Sequence, residues 1–367
     1  MTALSKAEIL DWLREDRSRR LQELYTHADD VRKQHVGDAV HLRGLIEISN
    51  HCVRQCMYCG LRRGNRELKR YRMSKEEIAG CVREAERLGF GTVVLQAGED
   101  DELSFDWVAD IVSWIKRETS LAVTLSLGER PEAELRGWRE AGADRYLLRF
   151  ETSDEVLYRA IHPQRFAGAP DRMMLLAQLK RLGYEAGGGV MAGIPGQSFE
   201  SLAEDILAFR ALDLDMIGIG PYIAHPGTPL GSGKLRPAIA PSDQAPNTET
   251  MVYKMIALAR LACPTANIPS TTALATINRS GGRKQGLSVG GNVVMPNLTP
   301  MKYRHLYEIY PAKACIDESA SDCDRCLRGQ IHSLSRFVGR GNGSRGQFEV
   351  PLAAESLAPS NLVELEA

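Results

Sequence analysis

The chain has 367 residues, 43% of them hydrophobic, which is enough apolar material to bury a large core. Its formal net charge of -1 gives no overall basic surface of the kind that nucleic-acid-binding proteins carry. The N-terminal residues lack the apolar segment of a signal peptide, and no apolar run approaches the roughly 18–20 residues of a membrane span. We therefore expect a cytoplasmic protein that binds neither nucleic acid nor a membrane.

Strand-like and helix-like segments alternate after a polar, helical N-terminal extension over residues 1–43. Between the strands lie helical patterns, the first of which begins at a capping box formed by Ser74 and Glu77. The strands are predicted, in chain order, at 44–49, 92–96, 121–127, 144–150, 185–191, 215–220, 267–273 and 287–295. This alternation predicts an α/β fold, a closed, parallel (β/α)8 barrel of the TIM type over residues 44–300.

The residues after the predicted barrel divide into two parts. Residues 301–336 form a C-terminal extension that carries a second cysteine group, and residues 337–367, rich in Gly, Ser and Arg at their start, are predicted to be a flexible tail. The chain has eight cysteines, six of them in two tight groups. The other two, Cys81 and Cys263, stand alone in or near helical patterns and are predicted to be buried, structural side chains.

Cys52, Cys56 and Cys59 follow the first predicted strand directly, with the spacing CxxxCxxC. In a cytoplasmic chain such spacing indicates metal binding rather than disulfides. Three thiolates can ligate three irons of a 4Fe–4S cluster and leave the fourth iron free to bind a small chelating molecule. Two alternatives are a structural zinc site, with His51 as a possible fourth ligand, and a cluster that only transfers electrons.

Polar and glycine residues follow the other predicted strands, where barrel enzymes carry their functional groups. Arg149 and Glu151 stand two apart at the end of the fourth strand, so both point to one side, as a ligand site or as a structural ion pair. Gly187–Gly189 and Met191 lie on the fifth strand, where glycines allow either a ligand or a tight bend. The second strand is followed by the turn of Gln96, Ala97, Gly98, Glu99 and Asp100.

Longer segments resemble the HydE family of FeFe-hydrogenase maturases, radical S-adenosylmethionine (SAM) enzymes of the biotin synthase-like group. The resemblance runs from about residue 40 to about residue 326. It rests on segments that include ISNHCVRQCMYCGLRRGNRELKRYRMSKEEI, VVLQAGED, DRYLLRFET, NIPSTTALATI and NVVMPNLTPMKYRHLYEIYP. It implies a 4Fe–4S cluster, reductive cleavage of SAM to a 5′-deoxyadenosyl radical, and a role in assembling the di-iron active site of FeFe hydrogenase.

The resemblance also implies roles for individual residues. Arg149 would be a catalytic residue that binds the substrate, and the turn at residues 96–99 would receive the amino group of SAM. Contacts to SAM would come from Tyr58, Gln96, Ala97, Gly98, Glu99, Glu151, Arg172, Met191, Met216 and Tyr307. An inner anion site would involve Thr124, Arg149, Thr271 and Thr272, unless these threonines are ordinary strand residues.

The second cysteine group, Cys315, Cys323 and Cys326, matches the accessory cluster site of the same family. It would hold a 2Fe–2S or 4Fe–4S cluster, with zinc or free thiols as alternatives. The implied partners are a small organometallic substrate, namely an iron–cysteine complex with carbonyl and cyanide, an electron donor such as a ferredoxin or flavodoxin, and the maturases HydG and HydF.

Two other functional classes are compatible with the same motifs. One is a related radical SAM enzyme with an organic substrate, such as methylornithine synthase or a biotin synthase-like enzyme, because one fold serves many chemistries. Arg149 and the threonines favour an anionic substrate over a lysine side chain. The other is a scaffold that carries clusters for a partner and cleaves no SAM. The sequence leaves open the exact substrate, the content of the second site and the oligomeric state.

Overall fold

The computed structural model describes residues 4–165 and 171–347. Two helices, α1 (Lys6–Arg14) and α2 (Ser18–Val36), precede the first strand. Helix α1 begins at a capping box, in which the Ser5 side chain accepts from the Glu8 N–H and the Glu8 carboxylate accepts from the Ser5 N–H. The first strand begins at Ala39, earlier than the predicted residue 44, so the helical extension ends at Val36.

Parallel strands form a single curved sheet in the order β6-β5-β4-β3-β2-β1-β7, and β8 also pairs with β1. Their bounds are β1 (Ala39–Ser49), β2 (Thr92–Ala97), β3 (Ala122–Ser126), β4 (Arg145–Leu147), β5 (Glu185–Ala192), β6 (Met216–Pro221), β7 (Val293–Val294) and β8 (Phe337–Val338). The first six predicted strands are present, although β4 covers only Arg145–Leu147 of the predicted 144–150. Because the strands are parallel, their carboxyl ends meet at one edge of the sheet, and the loops that carry the predicted site residues gather there.

Helices connect the strands and cover the outer face of the sheet. The first, α3, starts at the predicted capping box of Ser74 and Glu77 and buries Ile78 and Val82. Both solitary cysteines are buried as predicted, Cys81 in α3 and Cys263 after α9. The helices are α3 (Lys75–Arg87), α4 (Phe105–Glu118), α5 (Glu132–Glu140), α6 (Glu155–Ile161), α7 (Arg172–Arg181), α8 (Phe199–Ala211), α9 (Glu249–Ala262), α10 (Thr272–Ile277), α11 (Gly282–Ser288), α12 (Met301–Arg304) and α13 (Ala320–His332).

The last two predicted strands are wrong in extent. Within 267–273, only Asn267 and Pro269 make isolated parallel bridges, to β6 and β7, and α10 starts at Thr272. Pro269 has no N–H to donate to a strand ladder, which explains the interruption. In 287–295, α11 continues to Ser288 and only Val293–Val294 is a strand.

The predicted flexible tail begins, in the structure, with residues that are bound to the sheet. Strand β8 pairs with β1, and the Gly339 N–H donates to the Val40 carbonyl at 2.9 Å. The Gly343 carbonyl accepts from Arg43 at 3.0 Å and from Asn267 at 3.1 Å. Residues 337–347 therefore cover the amino-terminal end of the sheet, and residues 348–367 lie outside the described part of the chain. Within that described part, no helix is both long and apolar enough to cross a membrane.

Candidate active site

The loop of Cys52, Cys56 and Cys59 lies between β1 and α3, at the carboxyl edge of the sheet. Backbone hydrogen bonds fix it to three distant parts of the chain. They run from the N–H of Val53 to the Glu99 carbonyl at 2.9 Å, from Met57 to Ile161 at 2.8 Å, and from Gly60 to Ile309 at 3.0 Å. The three thiols are thus held in place by the fold around them.

Gly98, in the turn after β2, allows the cysteine loop to approach. A Cβ atom at this position would lie 2.7 Å from the Cβ of Cys52 and would also collide with the His51 carbonyl oxygen. Contacts that short are not tolerated, so a larger residue would force the two loops apart. Gly98, which was predicted as part of a ligand-binding turn, therefore allows close packing against the cysteine loop.

The three loop thiols suit a multinuclear cluster better than zinc. Burial raises the pKa of Cys52, raises that of Cys56 well above its usual range, and raises that of Cys59 to about 12. Bound cations are therefore needed to hold them as thiolates at neutral pH. Their ligand atoms do not all lie within 4.8 Å of one another, whereas tetrahedral zinc brings sulfur ligands to about 3.8 Å. Among the residues that the structure describes, His51 belongs to no such close group either.

A cavity of about 290 Å³ opens beside the cysteine loop. One wall includes Gln96, whose side-chain amide donates to the Tyr307 hydroxyl at 3.2 Å. The structure brings most of the predicted site residues together around this one space. Its lining includes Cys52, Cys56, Tyr58, Cys59, Gln96, Ala97, Gly98, Glu99, Arg149, Glu151, Arg172, Met191 and Tyr307.

Arg149 and Glu151 both line this cavity, and the Arg149 guanidinium lies 3.2 Å from a carboxylate oxygen of Glu151. The Arg149 guanidinium also donates to the Val190 carbonyl at 2.7 Å, and 31% of its side chain is exposed. Glu151 has a φ of 66°, a left-handed conformation that is uncommon for residues other than glycine and that clusters at functional sites. The arginine is thus oriented by two partners and still accessible to a ligand.

Comparison with known proteins defines the family. The radical SAM superfamily model matches residues 46–208. The FeFe-hydrogenase maturase subunit HydE of Thermotoga maritima is 47% identical over 322 residues, which are 88% of this chain and 88% of that protein. The chain belongs to the HydE family of radical SAM enzymes. The family implies a 4Fe–4S cluster and SAM as cofactors of this HydE-family enzyme.

More distant relatives agree with the fold. The 3-methylornithine synthase of Methanosarcina acetivorans is 31% identical over 75% of this chain and 74% of its own. Among solved structures, methylornithine synthase (PylB) has a TM-score of 0.75 at 24% identity, covering 92% of this chain and 95% of that one. HydG from Carboxydothermus hydrogenoformans has a TM-score of 0.72 at 18% identity, covering 90% and 75%. The HydE-family chain therefore has the TIM-like radical SAM fold.

Four predicted residues of this HydE-family enzyme lie apart from the described lining of the cavity. Met216 starts β6 at the opposite end of the sheet, where its sulfur accepts from Arg43. Thr124 is fully buried in β3, and its hydroxyl is without a hydrogen-bond partner. Thr271 directly precedes α10, and its hydroxyl donates to the Ile219 carbonyl at 3.3 Å, while Thr272 begins that helix.

The glycines of β5 serve strand packing rather than the cavity wall. A Cβ atom at Gly188 would lie 2.7 Å from the Leu214 side chain, and one at Gly189 would collide with the Gly218 carbonyl on β6. Met191, two residues further along, is the part of the strand that lines the cavity. This outcome favours the tight-bend interpretation of the glycine run.

Sequence reasoning missed a buried charge cluster behind Cys56. Arg172 donates to Glu99 at 2.8 Å and to Glu129 at 2.9 Å, and Arg54 donates to Glu129 at 3.1 Å. Although burial opposes ionisation, the nearby His162 ring, whose Nε2 atom lies 3.7 Å from the carboxylate, and the two arginines lower the pKa of Glu129 to about 2. These two carboxylates are neutralised by guanidinium groups, so a metal ion is not required here.

His162 connects this cluster to the cysteine loop. Its Nδ1 atom lies 3.2 Å from the Cys56 sulfur and 3.2 Å from the Tyr58 hydroxyl. Burial lowers the pKa of His162 to about 3, so the ring is neutral at physiological pH. His162 lies 106 residues from Cys56 in the chain, and no local pattern indicated the contact.

The second cysteine group lies in the connection to α13 and in the helix itself. Cys315, Cys323 and Glu318 place their ligand atoms within 4.8 Å of one another. Arg283 donates to the Cys315 sulfur at 3.3 Å, and a hydrogen bond from Cys323 lowers the pKa of Cys315 to about 6. Cys326 is exposed and lines the same small cavity as the other two cysteines. This site therefore has one exposed cysteine, unlike the first, and the Cys315 thiolate is stabilised by Cys323 and Arg283.

Proposed function

We propose that the chain takes part in the maturation of FeFe hydrogenase. It would cleave SAM reductively and direct the 5′-deoxyadenosyl radical at an iron–cysteine precursor that carries carbonyl and cyanide. The observation that carries this proposal is one chamber that joins the three loop thiols to the Arg149–Glu151 pair, in a chain 47% identical to a hydrogenase maturase subunit. HydG and HydF are the proposed maturation partners, and the cytoplasm is the proposed location.

In this proposal, Cys52, Cys56 and Cys59 ligate the 4Fe–4S cluster. When bound, the cluster supplies one electron to the sulfonium of SAM. The chain's own residues position and shield the cofactor. The fixed loop backbone sets the thiol positions, and the Gln96–Tyr307 hydrogen bond orients two polar groups on the cavity wall. The proposed SAM contacts are those predicted residues that line the cavity, Tyr58, Gln96, Ala97, Gly98, Glu99, Glu151, Arg172, Met191 and Tyr307.

Arg149 is the proposed substrate-binding cation. A guanidinium presents a planar fork that fits a carboxylate with two hydrogen bonds and stays charged at any working pH. Its contacts with Glu151 and the Val190 carbonyl orient the group without burying it. Of the proposed inner-site threonines, Thr271 has its hydroxyl next to Gly220, which is on the cavity wall. Thr124 and Thr272 remain part of the proposed site.

The test of this function is Arg149→Met, with the surface change Arg136→Met as the matched control. Loss of a charged hydrogen-bonding partner costs about 2–5 kcal/mol, roughly a 30-fold or greater loss of substrate affinity. We expect Arg149→Met to cleave SAM to 5′-deoxyadenosine and yet fail to activate hydrogenase, and Arg149→Lys to be impaired because it lacks the fork. Normal hydrogenase activation by Arg149→Met, measured anaerobically beside SAM cleavage, would refute the anion site.

A methylornithine synthase-like activity is the second candidate, because that enzyme is 31% identical and its fold superposes with a TM-score of 0.75. The two candidates differ in the substrate that consumes the radical. Incubation of the reduced enzyme with lysine and SAM separates them: formation of methylornithine supports the second and excludes the first. A scaffold that only carries clusters would give no 5′-deoxyadenosine in either assay.

We also propose that the curved sheet closes into a (β/α)8 barrel through residues 267–270. On one side the Ile217 N–H donates to the Asn267 carbonyl at 2.9 Å, and on the other the Ser270 N–H donates to the Val293 carbonyl at 2.9 Å. In this arrangement residues 1–43 form the helical extension, 44–300 the catalytic barrel and 301–336 the region with the second cysteine group.

The second cysteine group is proposed to bind an accessory iron–sulfur cluster, of the 2Fe–2S or 4Fe–4S type. Support comes from the close approach of Cys315 and Cys323 and from the Arg283 guanidinium beside them. A thiolate whose pKa is already lowered is a ready metal ligand. Because the group lies outside the cavity of the first cysteine loop, we propose that it is not required for SAM cleavage.

A further inference from the structure

The segment that follows Cys59 carries a concentrated positive charge. Residues 60–70 contain five Arg or Lys residues and one acid, Glu67, although the whole chain has a net charge of -1. Arg63, Arg66 and Lys69 have exposed side chains, and we refer to these three residues as the basic face. Three of the five cations of this segment are therefore displayed on the surface beside the cysteine loop.

The three cations of the basic face are uncompensated. Among the described residues, none of them forms an ion pair, unlike many exposed cations elsewhere. Arg136, for example, pairs with Glu132 at 2.6 Å, and Arg87 pairs with Glu84 at 2.6 Å. Exposed charges without intramolecular partners contribute little to folding but create a local field that attracts a partner of opposite charge.

Direct hydrogen bonds connect this segment to the cysteine loop. The Arg62 side chain donates to the Cys56 carbonyl at 3.1 Å, and the Arg63 N–H donates to the Arg54 carbonyl at 2.8 Å. The Arg70 guanidinium holds the segment from within by donating to the Asn50 carbonyl at 2.6 Å and to the Leu61 carbonyl at 2.8 Å. The basic face is therefore positioned on the same backbone that positions the cluster ligands.

We propose that the basic face is the docking site for an acidic electron-carrier protein. This proposal rests on the proposed function, because it requires the cluster at Cys52, Cys56 and Cys59. The reduced carrier loses one electron and the oxidised cluster gains it, and no covalent bond or proton changes place. Charge complementarity would steer the acidic carrier to the face that adjoins the cysteine loop.

The experiment compares two triple charge reversals in the reconstituted enzyme. Arg63→Glu/Arg66→Glu/Lys69→Glu removes the basic face, and Lys33→Glu/Arg181→Glu/Lys284→Glu makes the same charge change at exposed residues on α2, α7 and α11. The probe is reduced flavodoxin, and stopped-flow absorbance follows reduction of the cluster. Binding of flavodoxin is measured separately by calorimetry on the same proteins.

We expect the basic-face variant to be reduced by flavodoxin roughly tenfold or more slowly at low ionic strength, because steering by charge changes association rates by about that factor or more. The control variant should stay close to the unmodified enzyme. Added salt should slow the unmodified enzyme and have much less effect on the basic-face variant. Dithionite, a small reductant that needs no docking site, should support equal SAM cleavage in all three proteins.

Unchanged flavodoxin binding and reduction in the basic-face variant would overturn the proposal, and so would an equal loss in the control. Tight binding of the basic face to transfer RNA or to anionic lipid vesicles, with no binding of flavodoxin, would also overturn it. Absence of SAM cleavage with dithionite in the unmodified enzyme would instead refute the proposed function, while the calorimetric comparison would still decide the docking site.

Discussion

Cys56 and Cys323 are both buried members of a three-cysteine group, yet the surroundings of the two groups differ. The loop of Cys56 is fixed by backbone hydrogen bonds to three distant parts of the chain and opens onto the main cavity. The group of Cys323 lies around the start of α13, where Arg283 contacts one cysteine and another, Cys326, is exposed. One group lines the main cavity, and the other lies outside it.

The pKa of the cysteine thiols is shifted in opposite directions in the two groups. Burial and neighbouring thiols raise the pKa of Cys56 and Cys59, so these residues are poor thiolates until they bind a metal. At the second group, a hydrogen bond from Cys323 and the Arg283 charge lower the pKa of Cys315, so a thiolate forms without a metal. Cysteine spacing predicts ligands in both places, but the environment decides how strongly each site depends on its metal.

The largest expected effect is at the first group. Cys56→Ala should abolish the cluster and all SAM cleavage, because two remaining thiols cannot hold a site-differentiated cubane. Iron analysis and 5′-deoxyadenosine formation after anaerobic reconstitution measure both properties. Cys263→Ala, which changes a buried cysteine outside both groups, is the control and should retain them. SAM cleavage by the Cys56 variant would invalidate the central assignment.

The next prediction concerns an ion pair that joins the segment before Cys315 to strand β1. Lys313, two residues before Cys315, forms a buried ion pair with Glu47 on β1, and these side chains are 5% and 1% exposed. Lys313→Met should destabilise the protein by about 3–5 kcal/mol, because it leaves a carboxylate buried without its cation. Urea denaturation measures the free energy of unfolding. The double variant Lys313→Met/Glu47→Gln should recover part of the loss, and a single variant as stable as the parent contradicts the prediction.

A smaller effect should appear in thiol reactivity. With a pKa of about 6, Cys315 of the metal-free protein is mostly thiolate at neutral pH and loses that form as the pH falls through about 6. Cys59, with a pKa of about 12, stays protonated over the same range. We expect iodoacetamide to modify Cys315 well before Cys59 at pH 7, as followed by mass spectrometry. Cys323→Ala removes the hydrogen bond to Cys315 and should shift the pH dependence of Cys315 modification to higher pH. The same pH dependence in the variant and the parent would contradict a hydrogen bond between the two thiols.

The smallest effect on SAM chemistry is expected from the second group. Changing Cys315, Cys323 and Cys326 together to Ala should lower the iron content and leave SAM cleavage largely intact, since these residues do not line the main cavity. Iron analysis and 5′-deoxyadenosine formation are compared with those of the unmodified enzyme. A well-folded triple variant without SAM cleavage would show that the peripheral group takes part in the radical step.

Local patterns predicted what depends on local chemistry. The first six strands, the Ser74 capping box and the cysteine loop are all signalled by residues close together in sequence, and the structure contains each of them. The seventh predicted strand was wrong in extent because Pro269 interrupts the ladder and α10 starts at Thr272. The eighth was wrong because α11 continues to Ser288. Residues that were predicted separately, at the ends of different strands, line one cavity in the structure.

Long-range contacts account for what the sequence did not reveal. Met216 was placed beside SAM, but its position at the start of β6 directs it to Arg43 at the far end of the sheet. The contact of His162 with Cys56 spans 106 residues and involves no recognisable motif. The role of residues 337–347 was hidden because a Gly-rich composition is typical both of flexible tails and of segments that offer backbone carbonyls to buried arginines.

The pairing of β8 with β1 has a consequence for synthesis on the ribosome. Val40 emerges early, but the Gly339 N–H that bonds its carbonyl is made about 300 residues later, which takes about 15–60 s at about 5–20 residues per second. During that interval the backbone groups of Ala39 and Val40 that pair with β8 lack this partner and can pair with another chain. The nascent protein therefore exposes these groups of β1 until residue 339 has left the exit tunnel.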